Sequence, residues 1–386
     1  MKGVSVLISA AIIIMITVSS IVIVFTVIMP TLNRAQAQAT INEATQNMRL
    51  LDTTIRQVAS EGSGALRSLV LKTNDGSFVV INDTGVEYIF DTDYNAIPAG
   101  SIIREGNMKT TTGFSALGLV GYWKFDQGGG TVANDTSGKK FDGTLTNGPI
   151  WVSGKYGNAV KFDGINDYIK LPDNMNMLQN VKGTTIDLWV NANSTASSVG
   201  LVQISKGSVA ATGTSRAGME IISGTGLIVI ARSSDSETSK TLGTSNFLAN
   251  TWSHAVGVID YARNTLTIYV NGTKIISSSV SFSQPMTANT VSRNSAFGAA
   301  DDASDSFFNG TMDEIKIYNR ALTDQEVSDS FNMPAKRFRI SLDYDNIIIK
   351  SEGSTNSTRW GKGTTKICIE KLGVQSNTTL VEVRTC

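Results

Sequence analysis

Few residues in this chain could catalyse a reaction. His254 is the single histidine, so Ser-His or Cys-His catalysis has one candidate base, whose alternative role is a packed strand residue. Asp313 and Glu314 are adjacent, and adjacent side chains on a regular strand point to opposite faces, unlike two carboxylates acting across a groove. The glycines at 128–130 lack the Lys-Ser/Thr of a phosphate-binding loop. We therefore predict that the protein is not an enzyme.

The composition argues against a nucleic-acid partner. The chain of 386 residues carries 33 basic and 33 acidic residues, and no basic run is present. Only 17% of the residues are charged, whereas Gly, Ser, Thr and Asn are plentiful. This composition favours an extracellular, β-rich protein, and the length suits two or three domains.

The N-terminus carries an uncharged segment long enough to cross a membrane. No charged residue lies between Lys2 and Arg34, and residues 4–29 are mostly Val, Ile, Leu, Met and Ala. As a helix, this run extends over roughly 39 Å, which exceeds the ~30 Å hydrocarbon core of a bilayer. It is also longer than the apolar core of an ordinary cleaved secretory signal.

An amphipathic pattern continues this segment beyond Pro30. Apolar residues recur at spacings of three and four: Ile41, Ala44, Met48, Leu51, Ile55 and Val58. We predict one long helix over residues 4–62, after a short leader at 1–3, ended by the glycines at 62 and 64. The apolar seam can pack on the chain's own globular head, on neighbouring copies, or on both.

Two cysteines, Cys368 and Cys386, lie near the C-terminus. If the N-terminus is in a membrane and the remainder outside, a disulfide between them would persist. Closing this loop would contribute about 3 kcal/mol. Two free thiols are the alternative, and no other Cys or His lies nearby to complete a zinc site.

Seven Asn-x-Ser/Thr sequons make the chain a candidate glycoprotein. They begin at Asn82, Asn134, Asn193, Asn271, Asn309, Asn356 and Asn377. Chance yields several sequons in so Asn-, Ser- and Thr-rich a chain, and Asn271-Gly272 also has a turn role.

The rest of the chain reads as short strands separated by turns. We expect hairpins around residues 74–76 and 271–272, and a turn between two strands at 345–346. Residues 63–115 and 333–386 share the same pattern of short strands separated by turns. Neither piece is long enough to be stable alone. We therefore predict one small, discontinuous β head, split by an inserted domain at 116–332. The expected fold class is mainly β with one long N-terminal helix.

The inserted region resembles the laminin-G-like, concanavalin A-like lectin family. The resemblance is carried by ordered stretches at residues 119–126, 135–138, 154–164, 167–169, 185–190, 252–255, 268–272 and 308–322. It implies a β-sandwich jelly roll that binds glycan or protein. Glucanases of this fold carry paired carboxylates on one strand, a pattern missing here. Loop aromatics such as Tyr261, Phe307 and Trp151 are candidate ligand contacts.

The same resemblance implies a structural Ca²⁺, since many relatives hold one between an N-terminal turn and the last long strand. The matching positions are Asp135, Asp142 and Asp313, and carboxylate oxygens are suitable calcium ligands. Ordinary turn-forming aspartates are the alternative.

The N-terminal region resembles type IV pilin-like proteins of archaea and bacteria. The resemblance is carried by Lys2-Gly3 before the apolar run, by the long helix, and by a β head with a C-terminal cysteine pair. It implies cleavage between Gly3 and Val4 and packing of the apolar helix in a filament core. The leader is short, and Ile8 stands where many bacterial pilins carry a glutamate, which favours the archaeal type.

Together these features predict a cell-surface, pilin-like filament subunit that presents a carbohydrate-binding domain for adhesion. Its partners would be membrane lipid before assembly, copies of itself through the N-terminal helix, and an extracellular glycan or surface polymer. The C-terminus is expected outside. Alternatives are a single-pass adhesin that never polymerises, a purely structural filament subunit, and, less favoured, a glycan-active enzyme.

Overall fold

The computed structural model divides the chain into two units. One comprises Met1–Thr112 and Lys336–Cys386, and the other, inserted between them, comprises Gly113–Ala335. The structure describes residues 2–92, 97–98, 100–172, 178, 180–205, 215–234, 237–283, 295–300, 306–333, 337–352 and 357–386. The fold class predicted from the sequence, mainly β with one long N-terminal helix, is confirmed.

The long helix has three parts. They are α1 (Lys2–Ile23), a π-helical turn (Val24–Ile28) and α2 (Met29–Ser60). Pro30 has no backbone N–H to donate to the carbonyl of Thr26, and the π-helical turn absorbs this break without ending the helix. The helix ends before Gly64, which adopts a positive φ of 83°.

The amphipathic half of the helix is built into the first unit. Ala44, Met48, Leu51, Ile55 and Val58 are fully buried in its apolar core. Packing of the predicted seam on the chain's own head is therefore confirmed. The apolar half is different, because side chains such as Ile13, Met15 and Phe25 are more than 60% exposed.

The rest of the described chain contains twenty-six strands and a third α-helix, joined by turns and loops. In chain order they are β1 (Leu66–Thr73), β2 (Ser77–Ile81), β3 (Gly85–Asp91), β4 (Ile103–Glu105), β5 (Met108–Thr112), β6 (Leu119–Trp123), β7 (Val132–Ala133), β8 (Gly143–Thr146), β9 (Ile150–Ser153), β10 (Asn158–Asp163), β11 (Tyr168–Lys170), β12 (Gly183–Ala192), β13 (Val199–Ser205), β14 (Ser215–Ile222), β15 (Gly226–Ala231), β16 (Lys240–Thr244), β17 (Ser253–Asp260), β18 (Thr265–Val270), β19 (Thr273–Ser279), β20 (Ala296–Phe297), β21 (Asn309–Tyr318), α3 (Asp324–Phe331), β22 (Arg337–Asp343), β23 (Ile347–Ser351), β24 (Ser357–Trp360), β25 (Gly363–Gln375) and β26 (Thr378–Thr385).

Two sheets form the head, the first unit. Sheet A has the order β1-β25-β26-β23, and sheet B has the order β24-β2-β3-β22-β5-β4. The predicted hairpin at 74–76 is wrong, because β1 joins sheet A and β2 joins sheet B. The turn at 345–346 likewise connects β22 of sheet B with β23 of sheet A. Strands of both sheets pack against α2, so the chain changes sheet at these turns instead of folding back on itself.

The inserted unit begins and ends at two paired strands of the head. Thr112 in β5 is the register partner of Phe338 in β22. The two points where the chain leaves and re-enters the head are thus neighbours, which is the arrangement that lets a domain be inserted without distorting its host.

The inserted unit is a sandwich of two antiparallel sheets. Sheet C has the order β19-β18-β17-β12-β21-β10-β9, with β6 also paired to β21, and sheet D has the order β16-β15-β14-β13-β20-β11-β8-β7. The hairpin predicted at 271–272 is confirmed, with positive φ at both Asn271 and Gly272 between β18 and β19. Trp123 and Phe297 meet edge to face at 4.8 Å in the core.

The outer face of sheet C is covered as well as its core face. Phe331 at the end of α3 stacks on Trp189 at 5.7 Å, and Phe114 packs edge to face on Tyr122. As a result, β12 and β17 are buried along almost their whole length. Polar side chains on this outer face are therefore removed from water. Their burial costs free energy unless each is hydrogen-bonded or paired with an opposite charge.

Candidate functional site

A β-bulge in β21 brings two neighbouring carboxylates to the same face of sheet C. The register with β12 shifts between Asp187 and Trp189, and Glu314 takes a positive φ of 53°. Met312 and Ile315 both lie in the core, so Asp313 and Glu314 between them both face outward. The expectation that these two side chains point to opposite faces is wrong, because the bulge adds one residue to the strand.

Asp313 is a buried carboxylate with one oxygen left without a hydrogen bond among the described residues. It is fully buried, its Oδ2 accepts a hydrogen bond from the Tyr156 amide at 2.9 Å, and its Oδ1 has no hydrogen-bond partner within the described residues. Burial raises the pKa of this carboxyl to about 8, and the nearby charges of Glu314 and Asp126 act in the same direction. An unpaired, buried carboxylate oxygen fits a cation ligand, or a carboxyl that holds a proton.

Asp135 and Asp142 lie together but serve a turn. The Asp135 carboxylate accepts four hydrogen bonds: from the amides of Tyr122, Ser137 and Phe141 and from the Ser137 hydroxyl, at 2.8–3.0 Å. Asp142 accepts one from the Asp135 amide at 2.8 Å. Each oxygen of Asp135 already has two donors, so this carboxylate does not fit a metal ligand as Asp313 does.

The structure does not assemble the predicted calcium ligands into one site. Within the described ranges no group of three or more His, Cys, Asp or Glu side chains is arranged to hold a metal. Asp126, which the sequence reasoning missed, lies close enough to influence Asp313 and ends the stretch at 119–126 that carries the lectin resemblance. Calcium binding stays a prediction, with Asp313 as the residue of the three that fits it.

A half-buried aromatic pair lies at one end of sheet D. The rings of Tyr168 and Phe307 are 6.4 Å apart and inclined by 34°. Tyr168 pairs across the sheet with Thr146, and the following Asn147 donates to the carbonyl of Asn166 at 2.9 Å. Partly exposed rings beside amides and a hydroxyl are suited to the alternating apolar and hydroxyl surfaces of a sugar.

The other two candidate aromatics are poorer ligand contacts. Tyr261 is only 3% exposed and packs edge to face on Phe282 in the core. Trp151 is half-buried, and its ring nitrogen donates to the carbonyl of Gly130 at 2.8 Å. Both rings of the pair Tyr168 and Phe307 are partly exposed, whereas Trp151 pairs edge to face with Phe125, which is fully buried.

The sequon asparagines differ in the hydrogen bonds that their side-chain amides make. Asn193 and Asn309 are hydrogen-bonded to each other at 2.6 Å, Asn271 accepts from the His254 amide, and Asn82 accepts from the Ser351 amide. Asn134 and Asn377 are exposed, and their side-chain amides make no hydrogen bond to the residues that the structure describes. Asn356 lies outside the described residues. Glycosylation at each stays a prediction.

The ends of the chain carry the remaining predicted sites. Cys368 and Cys386 form a disulfide with a Cα–Cα separation of 5.1 Å, which confirms this pair. Gly3 and Val4 lie in the first turn of α1, and cleavage between them stays a prediction.

Comparisons with known proteins identify the region that contains the bulge and the aromatic pair. Residues 162–328 match the family model Laminin_G_3, described as the concanavalin A-like lectin/glucanases superfamily. No curated protein matches the chain in sequence. The lectin-like domain expected from the resemblance is thus confirmed for these residues.

Several solved structures are similar to part of the chain. One is domain 4 of AbnA, a GH43 extracellular arabinanase from Geobacillus stearothermophilus, in complex with arabinotriose: 22% identity, 55% of this chain and 98% of that chain, TM-score 0.38. Others are the binding domain of Paraclostridial Mosquitocidal Protein 1 (18%, 56% and 52%, TM-score 0.42) and that of botulinum neurotoxin DC with rat synaptotagmin II (15%, 56% and 52%, TM-score 0.43). The chain thus spans about half the length of these last two.

Proposed function

We propose that this protein is a cell-surface adhesin, held by its N-terminal helix and binding carbohydrate through the inserted sandwich. The observation that carries the proposal is the division of one continuous helix into two environments. Its amphipathic half is buried in the head, whereas its apolar half presents large hydrophobic side chains to the outside. Such a surface needs lipid or other apolar helices around it.

The surface location is supported by two further features. The described part of the chain contains one helix long and apolar enough to cross a membrane, over Ala10–Ser60. The Cys368–Cys386 disulfide suits an oxidising compartment. We infer that the head and the sandwich lie outside the cell, with the C-terminus.

Carbohydrate binding is supported by the lectin-like family match and by the pair Tyr168 and Phe307. We propose that a sugar ring stacks on this pair, with Asn147 near its hydroxyl groups. The test is a glycan array probed with the full chain in detergent. Tyr168→Ala and Phe307→Ala should each lower the signal at least tenfold, whereas Leu248→Ala, which removes a 67% exposed side chain from another loop, should not. An array without binding, or equal binding by all three variants, contradicts this site.

A more specific proposal for the N-terminal helix is that it assembles the protein into a filament. We propose that a peptidase cuts between Gly3 and Val4 and that the apolar halves of many copies then pack together. Mass spectrometry of the N-terminus of surface protein, combined with electron microscopy, tests this. A mature chain starting at Val4 within filaments supports assembly, whereas a retained Met1-Lys2-Gly3 on single membrane-bound copies supports the non-polymerising adhesin. Filaments without glycan binding would indicate a structural subunit.

We propose binding without catalysis. Asp313 and Glu314, the adjacent carboxylates of the bulge, are 0% and 1% exposed, so a polymer substrate has no route to them through the described residues. Turnover on a panel of polysaccharides tests this directly, and hydrolysis that depends on Glu314 would overturn it. Calcium titration of the unfolding temperature tests the proposed Ca²⁺ site, with Asp313→Asn as the control.

A further inference from the structure

A lysine and an aspartate face each other on the covered outer face of sheet C. Lys316 in β21 and Asp187 in β12 are register partners, and both side chains are fully buried. The ammonium nitrogen of Lys316 lies 3.6 Å from Asp187 Oδ1 and 3.9 Å from Glu314 Oε2. Three ionisable side chains thus converge at one point inside the protein.

The ion pair is poorly satisfied for its degree of burial. The Lys316 ammonium donates a long hydrogen bond of 3.5 Å to the main-chain carbonyl of Glu314. Asp187 Oδ2 has no hydrogen bond to any described residue. Burial raises the pKa of Asp187, but the charge of Lys316 outweighs it and holds this pKa well below its ordinary value, so the two groups start as an ion pair. A buried ion pair offsets its desolvation only with close geometry and further hydrogen bonds. Here the two charged groups are 3.6 Å apart, the hydrogen bond of the ammonium is long, and His254 contacts one of the two Asp187 oxygens, so the compensation is incomplete.

The surroundings of the Lys316 nitrogen are aromatic. It lies 5.6 Å from the ring centre of Phe114 and 5.1 Å from that of Tyr122. Tyr122 in turn donates a hydrogen bond to Glu314 Oε2. On the other side, His254 Nε2 lies 3.0 Å from Asp187 Oδ1 and holds that oxygen in place. Water is excluded, and the two reacting groups are fixed next to each other, as an intramolecular reaction requires.

We propose that Lys316 and Asp187 condense to an intramolecular amide bond, with Glu314 as the proton relay. The ammonium first gives a proton to the Asp187 carboxylate, which leaves a neutral amine and a carboxylic acid. The nitrogen then attacks Asp187 Cγ, so that the C–N bond forms. Glu314 takes a proton from the nitrogen and delivers it to the leaving oxygen, and the C–Oδ2 bond breaks with release of one water molecule.

The atoms and charges of this step balance without any other reagent. The three hydrogens of the ammonium become one on the amide nitrogen and two on the released water, and nothing is oxidised or reduced. Oδ1, held by His254, stays as the amide carbonyl, whereas Oδ2, which has no hydrogen bond within the described part of the chain, is the oxygen that leaves. The product replaces two buried charges by a neutral group and joins the two central strands of sheet C covalently.

Peptide mapping of the full chain tests the bond. The protein is made in a bacterial host that attaches no N-linked glycans, purified in detergent, reduced, alkylated and digested with trypsin. We expect the peptide of residues 183–206 to be joined to that of residues 294–320. Cleavage after Lys316 should be missing, and the mass should be one water below the sum of the two peptides. Folded chain that yields free peptides 183–206 and 294–316 overturns the proposal.

Three comparisons sharpen this test. Lys109 and Asp343 form an ion pair at 2.6 Å in the head, with side chains 12% and 25% exposed instead of fully buried, and should remain unlinked in the same digest. Lys316→Arg keeps the charge but should abolish the linked peptide. Glu314→Gln keeps the shape and should reduce linkage at least a hundredfold in rate. Linkage at the wild-type rate in Glu314→Gln, with folding verified by circular dichroism, overturns the relay.

Discussion

Replacing Leu51 by alanine tests how the helix is joined to the head. Leu51 is fully buried in the core of the head, whereas its neighbour Leu50 is 47% exposed on the same helix. Truncating a buried leucine costs about 2–5 kcal/mol, because apolar contact is lost and a cavity remains. Truncating an exposed leucine changes stability by about 0.5 kcal/mol or less. Leu51→Ala and Leu50→Ala are thus a matched pair.

Hydrogen exchange measured by mass spectrometry resolves the two units. We expect Leu51→Ala to speed exchange through global opening in β3 and β22 of the head by roughly 30- to 4000-fold, since each 1.4 kcal/mol corresponds to about tenfold. Exchange in β12 of the sandwich should not change, and Leu50→Ala should leave both units as they are. If Leu51→Ala and Leu50→Ala give the same exchange in the head, the packing of the seam on its own head is refuted.

Three further perturbations address the head and the sandwich. Cys386→Ser should lower the free energy of unfolding of the head by about 3 kcal/mol, measured by urea denaturation, and an unchanged midpoint would contradict the entropic argument. Arg339→Met should cost about 3–5 kcal/mol because it removes the cation that pairs with the buried Glu87 carboxylate; adding Glu87→Leu should recover most of the loss, and no recovery would indicate a packing defect. The folded pKa of Asp313, about 8, lies above its ordinary value of 3.8, so its contribution to stability is complete below about pH 4 and is lost as the pH rises through 8. In calcium-free buffer the unfolding temperature of the sandwich should fall from about pH 5 to about pH 8, and Asp313→Asn should remove this fall; an equal slope in the variant would refute the assignment.

The sequence predicted the parts of the fold that depend on local pattern. The spacing of Met48, Leu51 and Ile55 predicts the buried stripe of the helix, and Asn271-Gly272 predicts a tight hairpin, because both signals act over a few residues. The turn at 74–76 shows the limit of such signals. A turn sequence reports that the chain reverses, but the partner of β1 is β25, far along the chain.

The candidate sites were harder to predict for a related reason. Glu314 adopts a left-handed backbone conformation that its residue type disfavours. The conformational preferences of the residues at this position therefore do not predict the bulge that turns Asp313 outward. Lys316 and Asp187 become neighbours only because β12 and β21 pair in sheet C. The resemblance named Asp135 as a calcium ligand, with a turn-forming aspartate as the alternative, and the four hydrogen bonds by which it serves a turn are evident only from the folded geometry.

The paired insertion points at Thr112 and Phe338 have a mechanical consequence. When the sandwich is pulled by a bound surface, the tension enters the head through two neighbouring strands at the same end of their ladder. Both strands are drawn in one direction, so the hydrogen bonds between β5 and β22 are not peeled apart one by one. β22 also pairs with β3 along seven residues, which spreads the load across sheet B toward the helix. In the proposed adhesin, the head would therefore transmit a pull from the sandwich to the helix.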